Sequence, residues 1–428
     1  MVSLSSNSSP LQACNPSPCN PSHSIYPIKL SAELPEISKR IDRSDRQDNN
    51  QNHNQNHNIY VDLSEARGDD VVKRLRRGIA MSPNRPTLQF LTGAIGSGKT
   101  TELLRLRHSL EQQGFVVIYC MADEYLPLGD VRVTEIWILL LYLVTQQMER
   151  QGALPLSYLP NVITRIGAKI RLNADMVGNL ATNNSSHSDE TSYTSRLSKI
   201  LKFLQKHSQQ RFQLRHYLES PLEPKLKSYL SMAAEELVGK EIERLKQMGR
   251  KGLVILLDNL DRLTKDQAHQ IFDAGAKYLQ QFPCHTVYTL PVMSPFLNDV
   301  DTNGFNSDSA RNFPSSRPLP HFVLPTLTLR DRQGEINPDI LRLLRQIVLA
   351  RVIPQIAPEQ RFDHLPQAFA DLETLDHLCI ASEGHLPHLI SLLYGCWQLQ
   401  EPPFTREAIA AIVSDFHYYR AYSPPTQG

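Results

Sequence analysis

One short stretch constrains this chain more than any other. It reads Leu91-Thr92-Gly93-Ala94-Ile95-Gly96-Ser97-Gly98-Lys99-Thr100-Thr101 and matches the spacing G-x-x-x-x-G-K-[ST]. Backbone N–H groups close around a phosphate only where no Cβ intrudes, which explains the glycines. Lys99 is expected to reach the β- and γ-phosphates, and the Thr100 hydroxyl is expected to bind Mg²⁺. The residues predicted to bind nucleotide are Gly93, Gly96, Ser97, Gly98, Lys99, Thr100 and Thr101.

The flanking residues suit this loop. Residues 87–92 are typical of a β-strand that enters it, and residues 101–110 have helical spacing. The positive end of that helix dipole would point at the bound anion. Strand, glycine-rich loop and helix are the order that a P-loop requires, so we interpret the match as a P-loop rather than a chance glycine turn.

A second motif supports the first. Residues 252–258 form an apolar run that ends in Asp258, as expected for a buried central strand of a parallel sheet. Ligands of open α/β sheets bind at the carboxyl ends of the strands. Asp258 is therefore the candidate Walker B acid, which would hold Mg²⁺ through water.

Composition limits the remaining possibilities. The chain has 428 residues and a net charge of +1, so no global field indicates nucleic acid or membrane. The apolar run at residues 136–144 is far shorter than the roughly 20 residues of a bilayer span and predicts a buried helix. The six cysteines are scattered without a C-x-x-C pair, which indicates neither zinc nor disulfides. No signal peptide is visible, and we expect a cytoplasmic protein.

The pattern along the chain predicts five segments. Residues 1–58 are rich in Ser, Asn, Pro and Gln and are expected to be a disordered tail, with His53 and His57 as part of the polar tract. Residues 59–149 and 251–325 would form the two halves of an α/β core, separated by a helical insertion at 150–250. Residues 326–428 would form an all-helical lid. Strands are predicted at 87–92, 115–121, 252–258 and 285–291, and helices at 69–80, 133–148, 265–281 and much of 337–419.

This order resembles the AAA+/STAND superfamily of P-loop ATPases, in particular bacterial AAA ATPases of the origin-recognition-like and conflict-system type. The resemblance rests on residues 91–106, 253–263 and 287–291 and on the Gly384 turn. It implies an additional-strand P-loop NTPase fold, which is a parallel sheet with helices on both faces. It also implies ATP and Mg²⁺ as ligands and ATP hydrolysis as the activity.

The resemblance gives roles to residues near the second motif. Thr289 occupies the place of the sensor-1 residue, where a hydroxyl would orient water or contact the γ-phosphate; a Thr that simply packs in a strand is the alternative. Asn259 stands where related enzymes often have a catalytic Glu, and an amide cannot accept a proton. Asp261 would either replace that base or cap the next helix. Slow hydrolysis is therefore expected.

The lid turn departs from the family pattern. Pro387 stands where a sensor-2 arginine is expected, and His385 or His388 would either reach phosphate or lie at the surface. Candidate arginine fingers from a neighbouring subunit, or else ordinary solvated arginines, are Arg311, Arg317, Arg330 and Arg332.

The insertion is basic although the whole chain is nearly neutral. Its cations would either follow a nucleic-acid backbone or form the solvated face of helices whose apolar stripe packs on the core. They are Arg196, Lys199, Lys202, Lys206, Arg211, Arg215, Lys225 and Lys227.

Three functions remain open from the sequence. The first is a nucleotide-dependent conformational switch with slow Mg²⁺-dependent hydrolysis. The second is an ATP-dependent DNA-binding module of the origin-recognition or transposition-helper kind, and the third is an ATP-binding scaffold with negligible turnover. A protein partner and a homo-oligomer are left open, and no membrane is expected.

Overall fold

The computed structural model describes residues 59–151, 197–198, 201–202, 205, 225–292 and 320–422. The strands are β1 (Leu88–Thr92), β2 (Val116–Met121), β3 (Leu253–Asp258), β4 (His285–Leu290) and β5 (His321–Val323). The helices are α1 (Ser64–Arg67), α2 (Val71–Ala80), α3 (Lys99–Gln112), α4 (Val133–Arg150), α5 (Lys225–Gln247), α6 (Lys265–His269), α7 (Ala276–Leu279), α8 (Pro338–Val352), α9 (Leu372–Ala381), α10 (Leu386–Leu399) and α11 (Arg406–Tyr422). Short 3-10 turns cover Ala122–Glu124, Leu260–Arg262, Pro358–Gln360 and Leu365–Gln367.

The five strands form one parallel sheet in the order β2-β3-β4-β1-β5. Strand β4 therefore lies between the P-loop strand β1 and the strand β3 that carries Asp258. Both β3 and β4 are buried along their whole length, and for β3 this confirms the buried central strand that the sequence predicts. The additional-strand α/β P-loop fold expected from the sequence is confirmed.

Each face of the sheet has its own apolar core. Helix α4 packs on one face, where Trp137 is fully buried and the run at residues 136–144 is buried throughout. Helices α2 and α3 pack on the other face through side chains such as Leu75, Leu103 and Leu106. Residues 136–144 thus form the buried helix that the sequence predicts.

The C-terminal helices α8 to α11 share a third core. Leu63, just before α1, is buried in this core, and Val61 and Ala66 pack against it. The segment that leads into the α/β core therefore also contacts the helical lid. The domain boundaries themselves stay a prediction.

Two predicted elements need correction. The single helix expected at residues 265–281 is wrong, because a π-helical turn at Gln270–Ala274 separates α6 from α7. The Gly275 N–H donates to the Gln270 carbonyl across five residues, and a Cβ at Gly275 would overlap Val133 of α4. The turn thus lets the backbone approach α4 closely.

The second correction concerns the sheet. Strand β5 pairs with β1 at the sheet edge, although the sequence indicated four strands only. With three residues, β5 is too short to show a period-2 pattern.

Several predictions fall outside the described residues, among them the tail at 1–58, Arg311 and Arg317. Of the insertion cations, Lys202 alone is described with its side chain, and it is exposed. Leu197 and Leu201, one helical turn apart, are buried in the core under α4. In this part of the insertion an apolar stripe packs on the core, as the second interpretation expected. None of the described helices has the length and apolar character that a bilayer span requires.

Candidate nucleotide-binding site

The predicted P-loop connects β1 to α3, which begins at Lys99. Gly98 is the N-cap of α3 with φ of 95°, and Gly96 has φ of 79°. Residues with a Cβ rarely adopt this left-handed backbone conformation. The glycines at these two places therefore allow the loop to turn into the helix. Its N-terminal N–H groups are then free of intrahelical partners and suit an anion.

Lys99 folds back over this loop. Its Nζ donates to the carbonyls of Gly93 at 2.7 Å and Ala94 at 2.9 Å, and it forms an ion pair with Asp261 Oδ2 at 2.9 Å. The Lys99 side chain is 5% exposed and that of Asp261 is 12% exposed, so solvent screens the pair weakly. The ammonium thus lies within the loop that is predicted to hold phosphate.

Asp258 ends β3 and is 1% exposed. The Tyr119 hydroxyl donates to its Oδ2 at 3.0 Å, and the Asn259 N–H donates to its Oδ1 at 2.8 Å. Leu256, two residues earlier, packs with the leucines of α3. Because alternate residues of a strand share a face, Asp258 lies on the same face as the P-loop helix.

Thr289 of β4 lies on this face as well, because Val287 packs in the same core. The last recorded pair of β3 and β4 is Leu257 with Tyr288, so Asp258 and Thr289 are the next positions along the two strands. The Thr289 hydroxyl is fully buried and has no hydrogen-bond partner among the described residues. The same is true of the Ser97 hydroxyl in the P-loop.

Two buried hydroxyls without partners at the carboxyl end of a parallel sheet indicate missing polar atoms. A phosphate group beside Ser97 and Thr289 would supply acceptors for both donors. This fits the predicted roles of both residues, which stay predictions.

The turn after Asp258 settles one alternative. Helix α6 is capped by Thr264, whose hydroxyl accepts from the Gln267 N–H at 3.3 Å, and the Gln267 side chain completes a capping box. Asp261 lies in the preceding 3-10 turn, where it pairs with Lys99. The cap role for Asp261 is therefore wrong, and its role as a surrogate base stays a prediction.

Asp123 is a residue that the sequence did not single out. It follows β2, and its Oδ1 accepts from Asn259 Nδ2 at 2.8 Å while its Oδ2 pairs with Arg262 at 2.9 Å. Asn259 itself has φ of 65°, which few residues other than glycine adopt. Asp123 thus holds both ends of the turn that contains Asp261.

Arg67 is a second residue that the sequence did not indicate. Its Nη2 donates to the Ser97 carbonyl at 2.6 Å, and its Nη1 pairs with Glu102 of α3 at 2.8 Å. The Arg67 side chain is 3% exposed. A buried guanidinium therefore contacts the P-loop from a four-residue helix 30 residues earlier in the chain, and no local pattern marks it.

The lid touches the P-loop where α10 begins. A Cβ at Gly96 would overlap the ring of Pro387, which lies in the first turn of α10. His385 is the N-cap of this helix, and the centroids of the His385 and His388 rings lie 4.0 Å apart. Pro387, at the position predicted for the sensor-2 arginine, therefore lies beside the P-loop.

The arginines of the described loop lie elsewhere. Arg330 Nη1 donates to the Gly334 carbonyl at 2.8 Å within an exposed turn, and Arg332 is exposed in the same turn. Their contacts are those of solvated arginines. A finger role in a neighbouring subunit stays a prediction.

Magnesium fits this set of residues only together with a nucleotide. Within the described ranges, no group of three or more His, Cys, Asp or Glu side chains would hold a metal by itself. Thr100 in the first turn of α3 and Asp258 would supply a hydroxyl and a carboxylate, and Mg²⁺ usually completes its octahedron with phosphate oxygens and water.

Comparison with known proteins supports a P-loop NTPase domain. No curated protein matches the chain. The model of the KAP family P-loop domain matches residues 69–287, which is just over half of the chain and spans the P-loop, Asp258 and the first half of β4. The AAA+/STAND resemblance is a coarse fit at the level of the P-loop NTPase. The chain belongs to the KAP family of P-loop NTPases.

Proposed function

We propose that this protein binds ATP with Mg²⁺ between its α/β core and its C-terminal helices and acts as a nucleotide-dependent switch with slow hydrolysis. The contact of Pro387 with Gly96 is the observation that carries the proposal. Because the first turn of the lid helix α10 touches the phosphate loop, a phosphate that enters the loop must meet the lid. A bound nucleotide would then make contacts with a closed lid that an open lid lacks, and this difference in affinity is what a switch needs.

The phosphate contacts follow from the P-loop. The N–H groups at the start of α3 and the ammonium of Lys99 would bind the phosphates, and the hydroxyls of Ser97 and Thr289 would donate to them. Asp258 and Thr100 would hold Mg²⁺, which offsets phosphate charge when it is bound. Glycine positions 93, 96 and 98 and Thr101 complete the predicted loop.

Hydrolysis needs a water to attack the γ-phosphorus. The water oxygen forms the new P–O bond, the bond to the bridging oxygen breaks and leaves ADP, and the water proton needs an acceptor. Asn259 lacks that capacity, so Asp261 would accept the proton once Lys99 has moved to the phosphates. Because hydrolysis would then wait for Lys99 to leave Asp261, slow turnover is expected.

A fluorescent ATP analogue tests the proposal by titration. Lys99→Ala should lower affinity at least ~10-fold, about 1.4 kcal/mol, because the ammonium is the mobile cation at the phosphates. Lys73→Ala, an exposed lysine on α2, is the matched control and should bind as the wild type does. Equal affinity of a folded Lys99→Ala variant would contradict the proposal.

Two rival functions need separate measurements. A DNA-binding module would bind DNA with affinity that falls steeply as salt rises, and its candidate cations lie mostly in the insertion outside the described residues. A scaffold would bind ATP without turnover in a single-turnover assay. Light scattering with and without ATP tests for a homo-oligomer.

A further inference from the structure

Lys99 Nζ already contacts three acceptor groups of the protein. Its ammonium donates hydrogen bonds to the carbonyls of Gly93 and Ala94 and forms an ion pair with the carboxylate of Asp261. A phosphate that reaches Nζ must share the ammonium with these groups, above all with the Asp261 carboxylate. The P-loop lysine is therefore engaged by the protein itself before any ligand arrives.

Asp261 is the contact that competes most directly. It is the one anion of the three acceptors, and a phosphate brought to Nζ would place a second anion beside it. Both side chains are largely buried, so the repulsion between carboxylate and phosphate is weakly screened. The lysine is thus shared between two mutually repelling anions.

The turn that carries Asp261 is also held by Asp123, which follows strand β2. Asp261 lies in the turn Leu260–Arg262, and Asn259 before the turn and Arg262 at its end both bind Asp123 after β2. When Asp261 loses Lys99, Asp123 still holds the turn. The Asp261 carboxylate is then released in place rather than lost with the turn.

We propose that Asp261 is an internal competitor for Lys99, which lowers the affinity for nucleotide and is freed by the phosphates that displace it. The inference rests on the proposed nucleotide binding and adds the residue that sets its strength. When Lys99 moves from Asp261 to the phosphates, nucleotide binds and the Asp261 carboxylate becomes free to accept a proton in the same step.

Asp261→Asn is the variant that tests the competition. It keeps the size of the side chain and removes the charge, so a non-hydrolysable ATP analogue should bind about 10-fold more tightly, since less of the protein is held in the competing state. ATP turnover should fall in the same variant. Opposite directions for affinity and turnover are not expected of a merely structural residue, whose loss weakens both.

Two further variants complete the design. Asp123→Asn removes the charge that holds both ends of this turn but leaves the Lys99–Asp261 pair, so analogue affinity should stay within about twofold of wild type. If the melting curve shows that Asp261→Asn does not fold, Asp261→Ser, which removes the same charge, takes its place in the test.

Failure of the proposed competition can be told apart from failure of the proposed function. If the wild type itself binds no nucleotide, the proposed function is wrong. If the wild type binds and the folded charge-removed variant binds equally or more weakly, the competition is wrong while the proposed function stands.

Discussion

At the scale of single residues, the carboxylate of Asp258 shows how burial and chemistry meet in this site. It is almost wholly buried, yet it has two donors, the Tyr119 hydroxyl and the Asn259 N–H. A buried carboxylate with only two hydrogen bonds has acceptor capacity left. That capacity is what a hydrated Mg²⁺ needs, so the contacts agree with the predicted metal role.

Asp258→Asn should therefore separate binding from turnover. The Asn oxygen still accepts from the Asn259 N–H and its NH₂ group donates to the Tyr119 oxygen, so folding and much of the nucleotide affinity should survive. Turnover should fall at least ~10-fold, because the metal loses its anionic anchor. Tyr119→Phe is the control that removes one hydrogen bond and keeps the charge. A turnover loss as large in the control as in Asp258→Asn would argue against a metal role.

At the scale of elements, the segment at residues 59–68 links three parts of the molecule. Leu63 is buried in the core of the C-terminal helices, and Arg67 contacts the P-loop and α3. The family match begins at residue 69, after both of them. We therefore expect this segment to belong to the nucleotide site although it precedes the matched domain.

Two N-terminal truncations test that expectation. A chain that starts at residue 59 should bind ATP like the full chain, since residues 1–58 have no composition for a core. A chain that starts at residue 69 removes Arg67 and leaves Glu102 with the longer, more exposed ion pair to Arg105, so this buried carboxylate is less well compensated. Its melting temperature and nucleotide affinity should both fall. Equal behaviour of the two truncations would show that Arg67 is dispensable.

At the scale of the whole molecule, His285 of β4 couples global stability to pH. Burial in the central sheet disfavours its charged form and lowers its pKa from 6.5 to about 4. Its Nδ1 accepts from the Thr87 N–H at 3.2 Å, a contact that suits neutral imidazole. The stabilising effect of the neutral ring is complete above pH 6.5 and is lost as pH falls toward 4, because the unfolded chain binds the proton first.

The free energy of unfolding should consequently fall by about 2 kcal/mol from this residue between pH 7 and pH 5. Urea unfolding at both pH values measures it, and His285→Gln is the comparison, since its side chain does not titrate. The variant should lose less stability than the wild type over this interval. If both lose the same amount, other groups cause the pH dependence.

The sequence by itself determined the local elements and the residue types of the site. The P-loop, the strand that ends at Asp258, and the buried helix around Trp137 are set by glycine spacing and by apolar runs, which act within a few residues. The predicted order of strand, insertion and lid follows from these patterns as well. Local patterns do not record which distant side chains meet.

Only the tertiary structure decided those meetings. It placed Arg67 on the Ser97 carbonyl, Asp261 on Lys99, and Pro387 against Gly96. It also broke the helix expected at residues 265–281, where Gly275 approaches α4, and added the three-residue strand β5 to the sheet edge. Each of these depends on contacts between segments far apart in the chain, and such contacts override local propensity because packing and buried charge pairs outweigh it.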